Sequence, residues 1–240
     1  MEADPATLPP LIAIVGCDGS GKSTVSDELL VWLKGYGPAT IAHLGKQQGN
    51  TGRSIANLPL AGKFLGRFIE RKASTVRKSR TVNKAPDTFP AIVMYAFTLR
   101  RVRRFRRMMA LRHQGLIIIA DRYPQLDIPS ASDSTDMSVS AQGNRFVNWL
   151  AQRELAAFEW MTSYRPDLVI RLNVDIDTAF ARKPDHLREG LERKIKNIPQ
   201  FTFNGAAIAD IDATQPLAEV VAAAKAAVTQ TLSGRGYVQS

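Results

Sequence analysis

Eight consecutive residues, Gly16-Cys17-Asp18-Gly19-Ser20-Gly21-Lys22-Ser23, have the types and spacing of a phosphate cradle, G-x-x-x-x-G-K-[ST]. Gly16, Gly19 and Gly21 let a backbone curl until successive N–H groups point inward at phosphate oxygens. A helix beginning at Lys22 adds its dipole and unpaired N–H groups. Lys22 is placed to reach the β- and γ-phosphates of ATP, and the Ser23 hydroxyl, followed by Thr24, to ligate Mg²⁺. Gly16, Asp18, Gly19, Ser20, Gly21, Lys22, Ser23 and Thr24 are therefore the expected ATP-binding set. Cys17, inside the loop, is expected to be a small buried filler. A second carboxylate, Asp121, ends the apolar run 116–120. Ligands of a parallel sheet gather at the carboxyl ends of its strands, so Asp121 and the loop should face one cleft. There Asp121 would orient Mg²⁺ through water or accept a proton from an acceptor.

The elements that must hold these residues alternate short β-rich runs with amphipathic stretches, which predicts an α/β fold with a parallel sheet flanked by helices. Strands are expected over 11–15, 40–44, 116–120, 167–173 and 206–211. The helix after the cradle should run from 22 to about 36, stopped by Gly35, Gly37 and Pro38. Residues 45–58 read as a loop, 59–76 as a basic helix and 83–90 as a connection. In a long helix over 90–113, Ile92, Tyr95, Leu99, Val102, Phe105 and Met109 form an apolar stripe, with Arg100, Arg103, Arg104 and Arg107 on another face. Residues 124–143, rich in Ser and Asp, predict a long mobile loop. Helices follow over 146–163, over 178–197 with a break near Pro184, and over 217–232. A flexible tail, 1–10, should precede a single domain, 11–240.

The composition narrows the class. The chain has 240 residues, 45% of them apolar, and one cysteine, so a core is expected without any intrachain disulfide. No apolar run approaches the roughly 20 residues a membrane span needs, and the first ten residues carry no leader pattern. A cytoplasmic protein is the expectation. The net charge of +10 is concentrated: residues 46–112 hold 17 Lys and Arg against 2 acids, a local net of +15. Such a segment attracts an anionic partner, whether phosphorylated small molecule, nucleic acid or membrane.

Three motifs in order resemble the thymidylate kinase family of nucleoside monophosphate kinases. Asp18-Gly19-Ser20-Gly21-Lys22-Ser23-Thr24 is similar to its D-G-x-G-K-[ST]-T, Asp121-Arg122-Tyr123 to its D-R-[YFH], and the segment 166–175, PDLVIRLNVD, to its P-D-L-x-[IL]-x-L-x-V-[DS]. The resemblance implies a three-layer P-loop NTPase fold with a kinase-type lid over about 182–197, and a homodimer. It also implies that Asp18 faces the acceptor, that Arg100 grips the acceptor's phosphate, and that Arg122 and Tyr123 lie beside it. The catalytic set it implies is Asp18, Lys22, Asp121, Arg122 and a lid cation, Arg182 first, with Lys183, Arg188 and Arg193 as alternatives. Ser23 and Asp121 would hold the metal. The donor is then ATP and the default acceptor dTMP. The family's R-x-P-G-G is replaced by His43-Leu44-Gly45-Lys46-Gln47-Gln48, and Leu99 precedes Arg100 where aspartate is usual. A phosphosugar or glycan acceptor, or a nucleic-acid- or membrane-associated ATPase, therefore stays open as a further reading.

Overall fold

The structure, a computed structural model, describes residues 8–45, 86–140 and 144–238. In chain order its elements are β1 (Leu11–Gly16), α1 (Lys22–Leu33), β2 (Ala39–His43), α2 (Thr88–His113), β3 (Ile117–Asp121), α3 (Arg145–Ser163), β4 (Leu168–Asn173), α4 (Ile176–Arg182), α5 (Arg188–Asn197), a 3₁₀ turn (Ile198–Gln200), β5 (Ile208–Asp212) and α6 (Leu217–Ser233). The basic helix expected over 59–76 lies outside the described residues, as does all but Gly45 of the loop expected over 45–58.

The strands form one sheet in the order β2-β3-β1-β4-β5, and each paired neighbour is parallel. Strands covered on both faces read as unbroken apolar runs, and Leu11–Val15 and Ile117–Ala120 are buried throughout. Helices flank the sheet in two groups, α1 packed with α6 and α2 with α3. The chain leaves β1 for the edge strand β2, but leaves β3 across β1 to β4. Such a reversal opens a crevice at the carboxyl ends of the strands. Register places the chemistry there: Asp121 pairs with Ile14 on one side and His43 on the other.

Four expectations change. The long helix starts at Thr88, with Pro90 in its first turn, where the missing N–H costs nothing. Its inward face is Ala91, Thr98, Arg101, Phe105, Met108, Met109 and Arg112, while Ile92 and Leu99 of the expected stripe are 45% and 50% exposed. Apolarity alone misplaced that face, because Arg101, Arg112 and Thr98 are buried with partners.

The irregular segment 124–140 is packed: Gln125, Ser134, Thr135 and Met137 are buried. The Gln125 amide donates to the carbonyls of Ile128 and Ser132. Part of the tail is also tied down. Arg112 donates to the Pro9 carbonyl at 2.6 Å and to Asp167 at 2.9 Å, and Arg235 donates to the Leu8 carbonyl at 2.8 Å and also pairs with Asp167.

Candidate functional site

The cradle follows β1 directly and delivers its last residues into α1. Gly21, at the helix N-cap, has φ 84°. At Gly19 φ is 89°, and an added Cβ would stand 2.7 Å from the Ala179 carbonyl oxygen. The loop therefore packs directly against α4, and only glycine fits. Lys22 is 8% exposed, and its ammonium donates to the carbonyls of Gly16 at 2.9 Å and Cys17 at 2.7 Å. Burial, then the neighbouring Arg122 charge, lowers its pKa from the ordinary lysine value. Ser23 and Thr24 are exposed on the first turn of α1, and the Ser20 hydroxyl is buried with no partner among the described residues. Cys17 is a buried filler, its thiol pushed up by that burial.

Asp121 stands at the end of β3, and its Oδ2 lies 3.4 Å from His43 Nδ1. Its Oδ1 is buried without a hydrogen-bond partner among the described residues. Buried carboxylate oxygens normally have partners, so this orphan fits a hydrated cation. Among the described residues no group of three or more His, Cys, Asp or Glu could hold a metal ion. A cation here would accordingly draw most of its ligands from phosphate and water, as Mg²⁺ does.

Asp18 is the electrostatic centre. Arg122 Nη2 donates to its Oδ1 at 2.8 Å, Lys194 donates to its Oδ2, and His186 Nε2 stands 3.9 Å from Oδ2. Burial would raise this carboxyl, but the Lys194 hydrogen bond and charge, joined by Arg122 and Lys22, hold it well below the ordinary carboxylate range. Arg122 itself has φ 59°, and burial would lower its pKa; the charges of Asp133 and Asp18 outweigh that and raise it. An arginine in the left-handed region is a held conformation, the kind that clusters at functional sites.

The other sequence-derived positions divide. Arg182 reaches the cradle, but its guanidinium donates to the carbonyls of Gly19 at 3.2 Å and Ala213 at 2.9 Å. Arg188 pairs with Asp177 of α4 and with Glu192 of its own helix α5, and Lys183 and Arg193 are exposed. Arg100 is exposed on α2, one turn before Arg104, which donates to the Gly45 carbonyl at 2.6 Å.

Tyr123 does not present its hydroxyl to an acceptor. It is 2% exposed, stacks edge-on to Phe105 and donates to the Tyr164 carbonyl. Tyr123 lies two residues beyond the end of β3, after the left-handed turn at Arg122 (φ 59°), and its ring is buried there against Phe105 with its hydroxyl paired inside.

Sequence reasoning missed three residues. Lys194 lies beside the inward stripe of α5, where Leu191 is buried and Ile195 half-buried. That i, i+3 placement next to an apolar stripe was the signal. Arg101 is 2% exposed and binds the Leu44 carbonyl at 2.9 Å, the Asp133 carbonyl at 3.0 Å and the Asp133 carboxylate at 2.7 Å. It thereby ties the turn after β2 to the segment after β3. Gly45 leaves room for Arg122, whose Cδ lies 2.3 Å from the position a Cβ would take.

A five-stranded parallel sheet of this order, with a glycine-rich turn between β1 and α1, is a P-loop NTPase fold. No family model matches the chain. Two proteins of Escherichia coli K12 match almost all of it. "Uncharacterized ATP-binding protein YghS" is 41% identical over 224 residues, 93% of this chain and 94% of that protein. "Uncharacterized ATP-binding protein YghR" is 38% identical over 226 residues, 94% of this chain and 89% of that protein. The chain belongs to the family that YghS and YghR represent.

Proposed function

We propose that this protein binds ATP on residues 16–23 and transfers its γ-phosphoryl group to a small acceptor, a nucleoside monophosphate by default and dTMP first. The observation that carries this reading is the Arg122–Asp18 contact at 2.8 Å, which joins the cradle to the end of β3 across the crevice. A cradle that only held nucleotide would need no carboxylate–guanidinium pair facing the other side. The names of YghS and YghR as ATP-binding proteins support the donor.

Phosphoryl transfer asks the protein for alignment and charge neutralisation rather than covalent chemistry. The backbone N–H groups of the loop and the α1 terminus bind the β- and γ-phosphate oxygens. Lys22 leaves its two carbonyls to reach those oxygens. Ser23 and the orphaned Asp121 oxygen would hold Mg²⁺, which supplies positive charge at the β- and γ-oxygens when bound. Arg122 neutralises charge on the acceptor side, and Asp18 orients the acceptor.

The turn after β2 favours a second acceptor class. Its Leu44 and Gly45 carbonyls are engaged by Arg101 and Arg104 on α2, and it lacks the R-x-P-G-G of thymidylate kinases. A phosphosugar or glycan acceptor is the alternative. Coupled ADP release, screened over nucleoside monophosphates, nucleosides and phosphosugars, tests both. Lys22→Ala is expected to reduce acceptor-dependent turnover at least about a hundredfold. Unchanged turnover in that variant would sink the reading, and ADP release that ignores every acceptor would point to an ATPase.

A further inference from the structure

Two helices reach past the sheet. Arg101 of α2 donates to the carbonyl of Leu44, whose own N–H donates to the Asp121 carbonyl at the end of β3. Arg112 donates to the Pro9 carbonyl, just before β1 begins. The strands therefore end level with Arg101, and the turns of α2 before it project beyond their carboxyl edge by up to roughly 20 Å. α3 runs beside α2 in the same direction: Tyr95 meets Trp149, Thr98 meets Glu154 and Phe105 meets Trp160. The projecting turns have a small core of their own, Ala91, Met137, Val147, Leu150 and Ala151. Of the ten large apolar side chains exposed among the described residues, six belong to this projection and the segment packed on it. They are Phe89, Ile92, Leu99, Val139, Phe146 and Trp149. Exposed apolar side chains scattered singly are normal, whereas a group at one end of two adjacent helices marks an interaction site.

The charge around this group has one sign. α2 carries seven arginines and no acid, and Ile92, Ala96, Leu99, Arg103 and Arg107 are all exposed at helical spacing, so its apolar stripe continues into a cationic one. On α3, Arg145 and Arg153 are exposed; Glu154 is fully buried, which leaves Glu159 as its exposed acid. A second copy on this face would set arginine against arginine. Nucleic-acid bases stack on open aromatic faces, but Trp149 already stacks on Phe146, with ring centroids 6.0 Å apart, and carries the Arg153 guanidinium at 5.4 Å. Ile92, Leu99 and Val139 offer a base no ring at all. Aliphatic side chains beside Trp, Phe and Arg suit the boundary between acyl chains and anionic headgroups. We propose that the projecting ends of α2 and α3 dock on an anionic phospholipid surface. Ile92, Leu99, Phe146 and Trp149 enter its acyl boundary, while Arg103, Arg145 and Arg153 meet the headgroup phosphates. Docking of this kind does not depend on what the crevice catalyses, but it leaves the crevice at the lipid-facing end of the molecule.

The test is sedimentation of the full chain with vesicles of phosphatidylcholine, alone or with about 30% phosphatidylserine. Wild type should bind the anionic vesicles about tenfold better or more, and high salt should weaken that binding. Brominated acyl chains should quench its tryptophan fluorescence, and Trp149→Phe should remove most of that quenching. Phe146→Ser combined with Trp149→Ser should lower vesicle affinity about tenfold or more, and Arg103→Gln combined with Arg145→Gln about fivefold or more. Urea unfolding curves matching wild type show that each variant is folded. If the Phe146 and Trp149 variant is not, Ile92→Ser combined with Leu99→Ser takes its place. Failure to sediment with anionic vesicles overturns the proposal, as does sedimentation that the apolar variants leave unchanged. Should vesicles be ignored, a single-stranded oligonucleotide held by the same arginines would give this face to nucleic acid instead. A doubled mass that the Phe146 and Trp149 variant halves would, likewise, give it to a second copy.

Discussion

One missing methyl group sets where Arg122 lies at the edge of the crevice. A Cβ at Gly45 would stand 2.3 Å from Arg122 Cδ and 3.2 Å from its Nε. The obstacle is a side chain rather than backbone, so Gly45→Ala should be accommodated by moving Arg122 and should cost little stability. The moved guanidinium loses its 2.8 Å contact with Asp18. Acceptor-dependent turnover should then fall about tenfold or more, an alignment loss, whereas ATP affinity stays within about twofold. Steady-state kinetics beside equilibrium ATP binding separates the two, and a matched loss of both would contradict this placement. None of this was legible in the sequence around Gly45. A glycine after a strand reads as a turn, and its steric role exists only because Arg122 is folded onto it.

At the scale of elements, one buried acid joins Arg101 and Gln125 in holding the segment 124–140. Glu154 of α3 is fully buried and accepts from the Thr98 hydroxyl at 2.8 Å and from the N–H groups of Asp136 and Met137 at 3.1 and 2.8 Å. It thus ties α3 to α2 and to the irregular segment. Glu154→Leu orphans the buried Met137 N–H and the half-buried Asp136 N–H and should destabilise by about 2–5 kcal/mol in urea unfolding. Glu154→Gln keeps an acceptor oxygen for those donors and should be tolerated.

The same residue shapes the pH dependence. Burial raises its pKa above the ordinary 4.5 despite the Met137 and Thr98 hydrogen bonds. The protonated form is favoured by folding, so this contribution is complete below pH 4.5 and is lost as pH rises through the folded value. Wild type should therefore lose stability relative to Glu154→Gln as pH climbs above about 4.5. Parallel unfolding curves at every pH would refute that sign. The order of strands and helices was legible from apolar runs and punctuation. The packing of 124–140 was not, because its Ser- and Asp-rich composition is also that of a mobile loop.

For the whole molecule, the sheet sets the crevice and the crevice couples ligand to stability. ATP at a hundred times its Kd should stabilise the fold by about 2.7 kcal/mol. For a chain of this length, that is a rise in Tm of about 5–10 °C. Lys22→Ala should abolish most of the rise. An equal shift in both proteins, by thermal denaturation with and without Mg²⁺-ATP, would place the nucleotide elsewhere.

The sequence by itself determined the cradle, the parallel sheet and the place of Asp121, because each depends on local pattern. A glycine-spaced loop between an apolar strand and a helix has few conformations open to it, and a strand's last residue must emerge at the sheet's carboxyl edge. Only the tertiary structure decided which cations meet Asp18. Lys194 is 176 residues from Asp18 and Arg122 is 104 residues from it. Side chains so distant are brought together by the stacking of α5 and β3 around the P-loop, and no local periodicity records that meeting. For the same reason Arg101, which no sequence pattern singled out, and Tyr123, expected beside the acceptor, both lie inside. The arginine found carbonyl and carboxylate partners inside, and the tyrosine found its partner in the core.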